Sequence, residues 1–117
     1  MAHLDVTPDL VRVRLGRWER LGALHGDVTI PRAAVRAARV VTDPMKALEG
    51  IRAPGYGLPG HGAVGTWRSK GWKDFVAAYA GQPGVVIDLT TDRPDVEFRR
   101  LVVSVDDPET VAAALNR

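Results

Sequence analysis

The chain has 117 residues, 45% of them hydrophobic, with no Cys and a formal net charge of +2. That length suits one domain with one core, and the composition excludes intrinsic disorder, disulfides, thiol chemistry and Cys-ligated zinc. The charge is uneven: residues 1–73 carry twelve Lys/Arg against six Asp/Glu, and residues 74–117 carry four against eight.

In chain order, MAHLDVTPDL has no basic stretch leading into a long apolar run, so no signal peptide is expected. No stretch approaches the ~18 apolar residues of a membrane-spanning helix, and a soluble cytoplasmic protein is the expectation. LVRVRLG follows, with Val11, Val13 and Leu15 on one face and Arg12 and Arg14 on the other, the period of a half-buried strand. Gly16 and Arg17 read as a turn into a second strand through Trp18, Leu21 and Leu24, which HGDVTIP extends or restarts before Pro31 ends its pairing. PRAAV reads as a bridging turn, VRAARVV at 35–41 as a third strand, and MKAL as a brief helical turn. From Pro54 to Gly62 the chain reads as a Gly/Pro loop.

GAVGTWRS at 62–69 predicts a fourth strand, WKDFVAAYA at 72–80 a fifth, and VVIDLTT at 85–91 a sixth. EFRRLVVSV at 97–105 predicts the seventh, with its alternation slipping at Arg99–Arg100 as at a bulge. The period then changes. Asp107 is placed as an N-cap, Pro108 at the first helical position and Glu109 in the first turn, with Val111 and Leu115 on one face. The prediction is a mainly β domain over 1–117, seven antiparallel strands in a barrel or sandwich, capped by one helix at about 107–116. No strand–helix–strand alternation calls for a parallel sheet.

Seven strands and a single closing helix resemble the pleckstrin-homology-like domains of bacterial proteins. The resemblance rests on VTIPRAAVRAARV at 28–40, on RAPGYGLPG leading to GTWRSKGWKDFVA over 52–77, and on RLVVSVDDPETVAAAL at 100–115. It implies a barrel that binds a phosphoinositide, a peptide or another protein, with no catalysis. The first hairpin offers Arg12, Arg14, Arg17 and Arg20 but no Lys, so phosphoinositide binding is not carried over.

GYGLPG at 55–60 and GHGAVG at 60–65 both fit G-x-G-x-x-G. A dinucleotide loop needs an apolar strand before it and a helix N-terminus after it. EGIRAP and HGAVGTWRS supply neither, and Pro59 lacks an amide donor. The stretch reads first as a shaped connection. Its successive amides could instead form an anion nest, with charge from Arg52, His61, Arg68 and Lys70 nearby. Tyr56 and Trp72 add aromatic faces, and Gly57 and Gly60 allow close backbone approach, so these eight residues form the candidate binding surface. Aromatics beside Arg68, Lys70 and Lys73 could stack bases, but a net charge of +2 is too small to expect nucleic acid.

His3, His25 and His61 lack metal-ligand spacing, and neither Ser69 nor Ser104 lies in G-x-S-x-G. Neither a catalytic residue, nor a metal, nor a cofactor is expected. The expected function is a binding or scaffolding module for a protein or acidic ligand. Two alternatives stand beside it. One is a small-molecule or anion sensor, or minor enzyme, using the barrel interior. The other is a self-associating structural subunit with an exposed apolar patch or strand edge.

Overall fold

The computed structural model describes residues 2–58 and 62–117, and of residues 52–58 the backbone alone. The N-terminal part forms a three-stranded antiparallel meander, β1 (His3–Val6), β2 (Leu10–Arg14) and β3 (Val28–Pro31). Its alternation holds as read: Val11 and Val13 are wholly buried, while Arg12 bonds Thr29 and Arg14 bonds Asp5 on the outer face. β1 escapes sequence reading because four residues between a polar terminus and Thr7–Pro8 give too few periods to count.

The second predicted strand is replaced by a helix, α1 (Arg17–Ala23), inserted between β2 and β3. Two local signals explain the correction. Trp18, Leu21 and Leu24 recur every three residues, which is close to the helical period and not to the strand period. Glu19 also reaches back to the Gly16 amide at 2.7 Å, satisfying a donor that the first turn leaves open. Leu24 ends the helix in the left-handed region at φ 51°, a position more often taken by Gly.

The remaining strands are β4 (Val35–Val41), β5 (Ile51–Leu58), β6 (Gly62–Ser69), β7 (Trp72–Tyr79), β8 (Gly84–Leu89) and β9 (Arg100–Ser104). They form a second sheet in the order β4-β8-β9-β7-β6-β5. The expected seven antiparallel strands in a barrel or sandwich become, among the described residues, nine strands in two sheets with one parallel pair, so the barrel form and the strand count are corrected while the mainly β class holds. β9 runs parallel to β7 and antiparallel to β8, because the chain returns after β8 and inserts its last strand between the two preceding ones. All five β9 residues are buried, as a central strand requires. The slip at Arg99–Arg100 marks the start of that strand. Arg99 still donates to the Lys73 carbonyl at 2.8 Å, and its own carbonyl accepts from Leu89 at 2.9 Å.

The expected Gly/Pro loop is also corrected, because residues 51–58 form the outermost strand. Its register with β6 shifts between Arg52 and Gly55. A strand edge tolerates Pro54 there, since the missing N–H need not meet a neighbour. Gly50 turns the chain into β5 at φ +82°, and a Cβ there would lie 2.5 Å from the Arg68 carbonyl oxygen.

The main core lies between the sheets, where Val11, Val13 and Ile30 meet Phe75, Ile87, Leu101 and Val103. Trp67, Val76, Val86 and Val102 form a smaller cluster on the opposite face of the larger sheet. It is covered by Met45, Ala47 and Leu48 around the short 3-10 turn Pro44–Ala47. The closing helix α2 (Pro108–Leu115) packs against β4 through buried Ala112 and Leu115. Asp107 is its N-cap residue, although the side chain makes no capping bond. Arg32 donates to the carbonyls of Ala114 and Leu115 at 2.8 and 3.1 Å. The Asn116 carboxamide accepts from the Ala38 amide at 2.9 Å and donates to the Ala38 carbonyl at 2.7 Å, so one side chain occupies the free edge of β4 as a neighbouring strand would. No helix among the described residues is long and apolar enough to cross a membrane.

Candidate functional site

α1 carries the most unusual surface of the molecule because its polarity is inverted. With successive residues 100° apart, Glu19 and Ala23 share one face, and Leu21 points nearly opposite. The inward pair is the acidic Glu19, 4% exposed, and Ala23, 0% exposed. The outward residues are Trp18, Leu21 and Leu24, at 76%, 64% and 73% exposure. An ordinary surface helix does the reverse.

The cause is the polar anchor beneath it. Glu19 accepts from the Gly16 amide with one carboxylate oxygen and from the Tyr79 hydroxyl with the other. Tyr79 is itself placed by its amide donating to Ser104 Oγ at 2.8 Å. The helix lies against β5 and β6, held by this carboxylate, and its large apolar side chains are left in water. Arg20 reaches Asp27 at 2.9 Å and the Leu15 carbonyl at 3.2 Å. Exposed Arg17, beside Trp18 and one turn before Leu21, has no ion-pair partner among the described residues.

A second feature is a guanidinium cluster on the far face of the larger sheet. Fully buried Asp74 accepts from Arg99 at 2.8 and 3.1 Å and from Arg100 at 2.9 Å. Arg99 stacks on the Trp72 ring at 3.7 Å and also donates to Glu49 at 2.9 Å. Its pKa is raised, first by the hydrogen bond to Asp74. Arg100 donates to the Ala47 carbonyl at 2.7 Å, tying the 3-10 turn to the sheet. Arg36, Arg99 and Arg100 line an open depression of about 500 Å3 with Asp88 and Thr91. Asp88 also lies 3.7 Å from Arg39, so carboxylates balance most of this positive charge.

No family model, curated protein or solved structure matches this chain.

The sequence-predicted surface is divided by the fold. Arg68 and Trp72 line one shallow depression of about 320 Å3 at the β6–β7 turn, with Ser69, Gly71, Lys73 and Glu97. Lys70 lies in that turn. Arg52 pairs with Trp67, near the same end, whereas Tyr56 and Gly57 pair with Val64 and Ala63 toward the other. Gly60 and His61 lie outside the described residues. Of the described residues among the eight, Arg68, Lys70 and Trp72 gather at the β6–β7 turn, while the backbone of Tyr56 and Gly57 lies toward the other end of β6.

Trp18, Leu21 and Leu24, expected in a strand, belong instead to α1 and to the residue that ends it. The three-residue spacing and the Gly16–Glu19 capping pair were the available signals. Nothing local could have revealed that the apolar side faces out. Among the described residues no group of three or more His, Asp or Glu is placed to hold a metal ion.

Proposed function

We propose that this chain is a non-catalytic protein-binding module that docks its partner on the outward face of α1. One observation carries the reading: a helix anchored by a buried carboxylate presents Trp18, Leu21 and Leu24 to solvent. A sequence that breaks the local rule of burial without compensation in its own fold marks a site selected for something else. Trp and Arg are also the residue types that most often dominate binding energy at interfaces. Here Arg17, Trp18 and Arg20 are consecutive or nearly so on a rigid support.

The pleckstrin-homology resemblance supports the reading only as far as a β scaffold ending in strand and helix. The interleaved β9 and the separate three-stranded sheet depart from the barrel it implies. The space between the two sheets is filled by Val, Ile, Leu and Phe side chains, which gives no support to an interior ligand chamber. A small-anion reading keeps one specific observation, the depression lined by Arg36, Arg99 and Arg100.

The test is the double replacement Trp18→Ser and Leu21→Ser. If these residues serve docking, stability changes by no more than about 0.5 kcal/mol, as for exposed positions, while a photo-crosslinker at Leu24 loses the adducts it forms in the native host. Retained adducts, or a stability loss above about 2 kcal/mol, would defeat the proposal.

A further inference from the structure

We infer that the occupant of α1 is an acidic amphipathic protein segment, whose apolar stripe meets Trp18 and Leu21 and whose flanks carry carboxylates. This rests on the docking reading above and adds the chemistry of the partner.

Charge decides the sign. On the solvent side of α1 stand Arg17, unpaired among the described residues, and Arg20, whose single carboxylate partner is Asp27. The only carboxylate of the helix, Glu19, is turned inward and spent on Gly16 and Tyr79. The solvent side of the helix therefore carries one guanidinium, Arg17, in excess of its paired charges, and no free carboxylate of its own. Carboxylates on a partner complete Arg17 directly and steer its approach.

A second copy of the chain fits poorly. Its α1 would bring a second Arg17 and no free carboxylate to the contact, so it leaves the guanidinium unanswered. Enlarging that contact by strand pairing at the neighbouring β5 edge meets Pro54 and the register shift at Arg52–Gly55. An anionic bilayer fits less well than a protein. Three side chains and one unpaired guanidinium on a seven-residue helix fall short of the ~4–8 clustered cations that hold a protein to such a surface.

The experiment selects binders from a displayed library of amphipathic helical peptides, with Asp, Glu, Asn, Gln, Lys and Arg equally allowed beside a fixed apolar stripe. The expected pool is enriched in Asp and Glu. Its members bind at least tenfold more weakly to Trp18→Ala, weaken as ionic strength rises, and give way to Lys- and Arg-rich peptides when the bait is Arg17→Glu. Circular dichroism of both variants controls for folding. A pool with neutral or basic flanks that still requires Trp18 overturns the acidic partner and leaves the docking face standing. A pool indifferent to Trp18, or no binders at all, overturns both. Sedimentation that shows a dimer abolished by Trp18→Ala, or phosphatidylserine vesicles that bind the chain more tightly than any selected peptide, also overturns the acidic segment.

Discussion

Glu19→Ala removes the carboxylate that joins α1 to the sheet. The side chain is buried, accepts from the Gly16 amide at 2.7 Å and accepts from the Tyr79 hydroxyl. Each hydrogen bond to a charged group is worth about 1.5–3 kcal/mol, and each donor left buried without a partner costs about 1–3 kcal/mol. Against this, removing a buried carboxylate also removes its own desolvation penalty, several kcal/mol in sign opposite. The Gly16 amide lies at an exposed residue and recovers a water partner, so the larger share of the loss sits at Tyr79. A net loss of about 2–3 kcal/mol follows, or roughly 10 °C in Tm for a domain of this size. Urea unfolding followed by circular dichroism measures the loss. Amide hydrogen exchange locates it: protection falls first over Arg17–Ala23 and not over β7–β9. Glu19→Gln, which keeps an acceptor and loses the charge, recovers part of the loss. A destabilisation below about 0.5 kcal/mol, or uniform loss of protection across both sheets, would refute the idea that this carboxylate sets the helix orientation.

Asp74→Ala leaves Arg100 buried with only Glu49 at 3.4 Å and the Ala47 carbonyl, and should cost about 3–4 kcal/mol by denaturant unfolding. Restoring a neutral pair with Arg100→Met in the same chain should return most of it. Asn116→Ala removes two bonds from the β4 edge and should cost about 1–2 kcal/mol, with faster exchange of the Ala38 amide as the local readout. In the turn before β9, the Thr90 hydroxyl holds Asp92 below the ordinary aspartate value of 3.8, and the Arg93 guanidinium does the same for Asp95. Both folded values are depressed, so their stabilising contribution is present above the unfolded value and lost as pH falls through the folded ones. Carboxyl-carbon NMR titration should show both midpoints below 3.8, and a midpoint at or above it would discard the turn geometry.

Strands with a strict period of two were legible in the sequence. LVRVR, WKDFVAAY and GVVIDL all fall where alternation put them, because one face of each packs in the core and cross-strand neighbours match it. What alternation cannot encode is the order in which strands pair. β9 lies between β7 and β8 through contacts formed only when all three are present, so sequential hairpins were the natural but incomplete inference. The β5 stretch was illegible for another reason. IRAPGYGL is rich in Gly and Pro, which locally signal a turn, and it is a strand through its ladder with β6.

The two helices show why the candidate site was harder to read than the fold. Both carry apolar residues at helical spacing, Trp18, Leu21 and Leu24 in one and Val111, Ala112 and Leu115 in the other. In α2 the apolar side turns inward, since β4 offers it an apolar surface and Arg32 satisfies the carbonyls at its end. In α1 the surface beneath offers a hydroxyl, and the residue that answers it is Glu19. Orientation is fixed by a partner sixty residues away, Tyr79, which no window of sequence around Glu19 contains. A pattern of apolar residues therefore reports that a helix has two faces, and only the long-range partner of its polar face decides which of them meets water. That decision is what turns the apolar side of RWERLGAL from core into exposed surface, and replacing Tyr79 by Phe should weaken the hold on Glu19 without altering the apolar pattern at all.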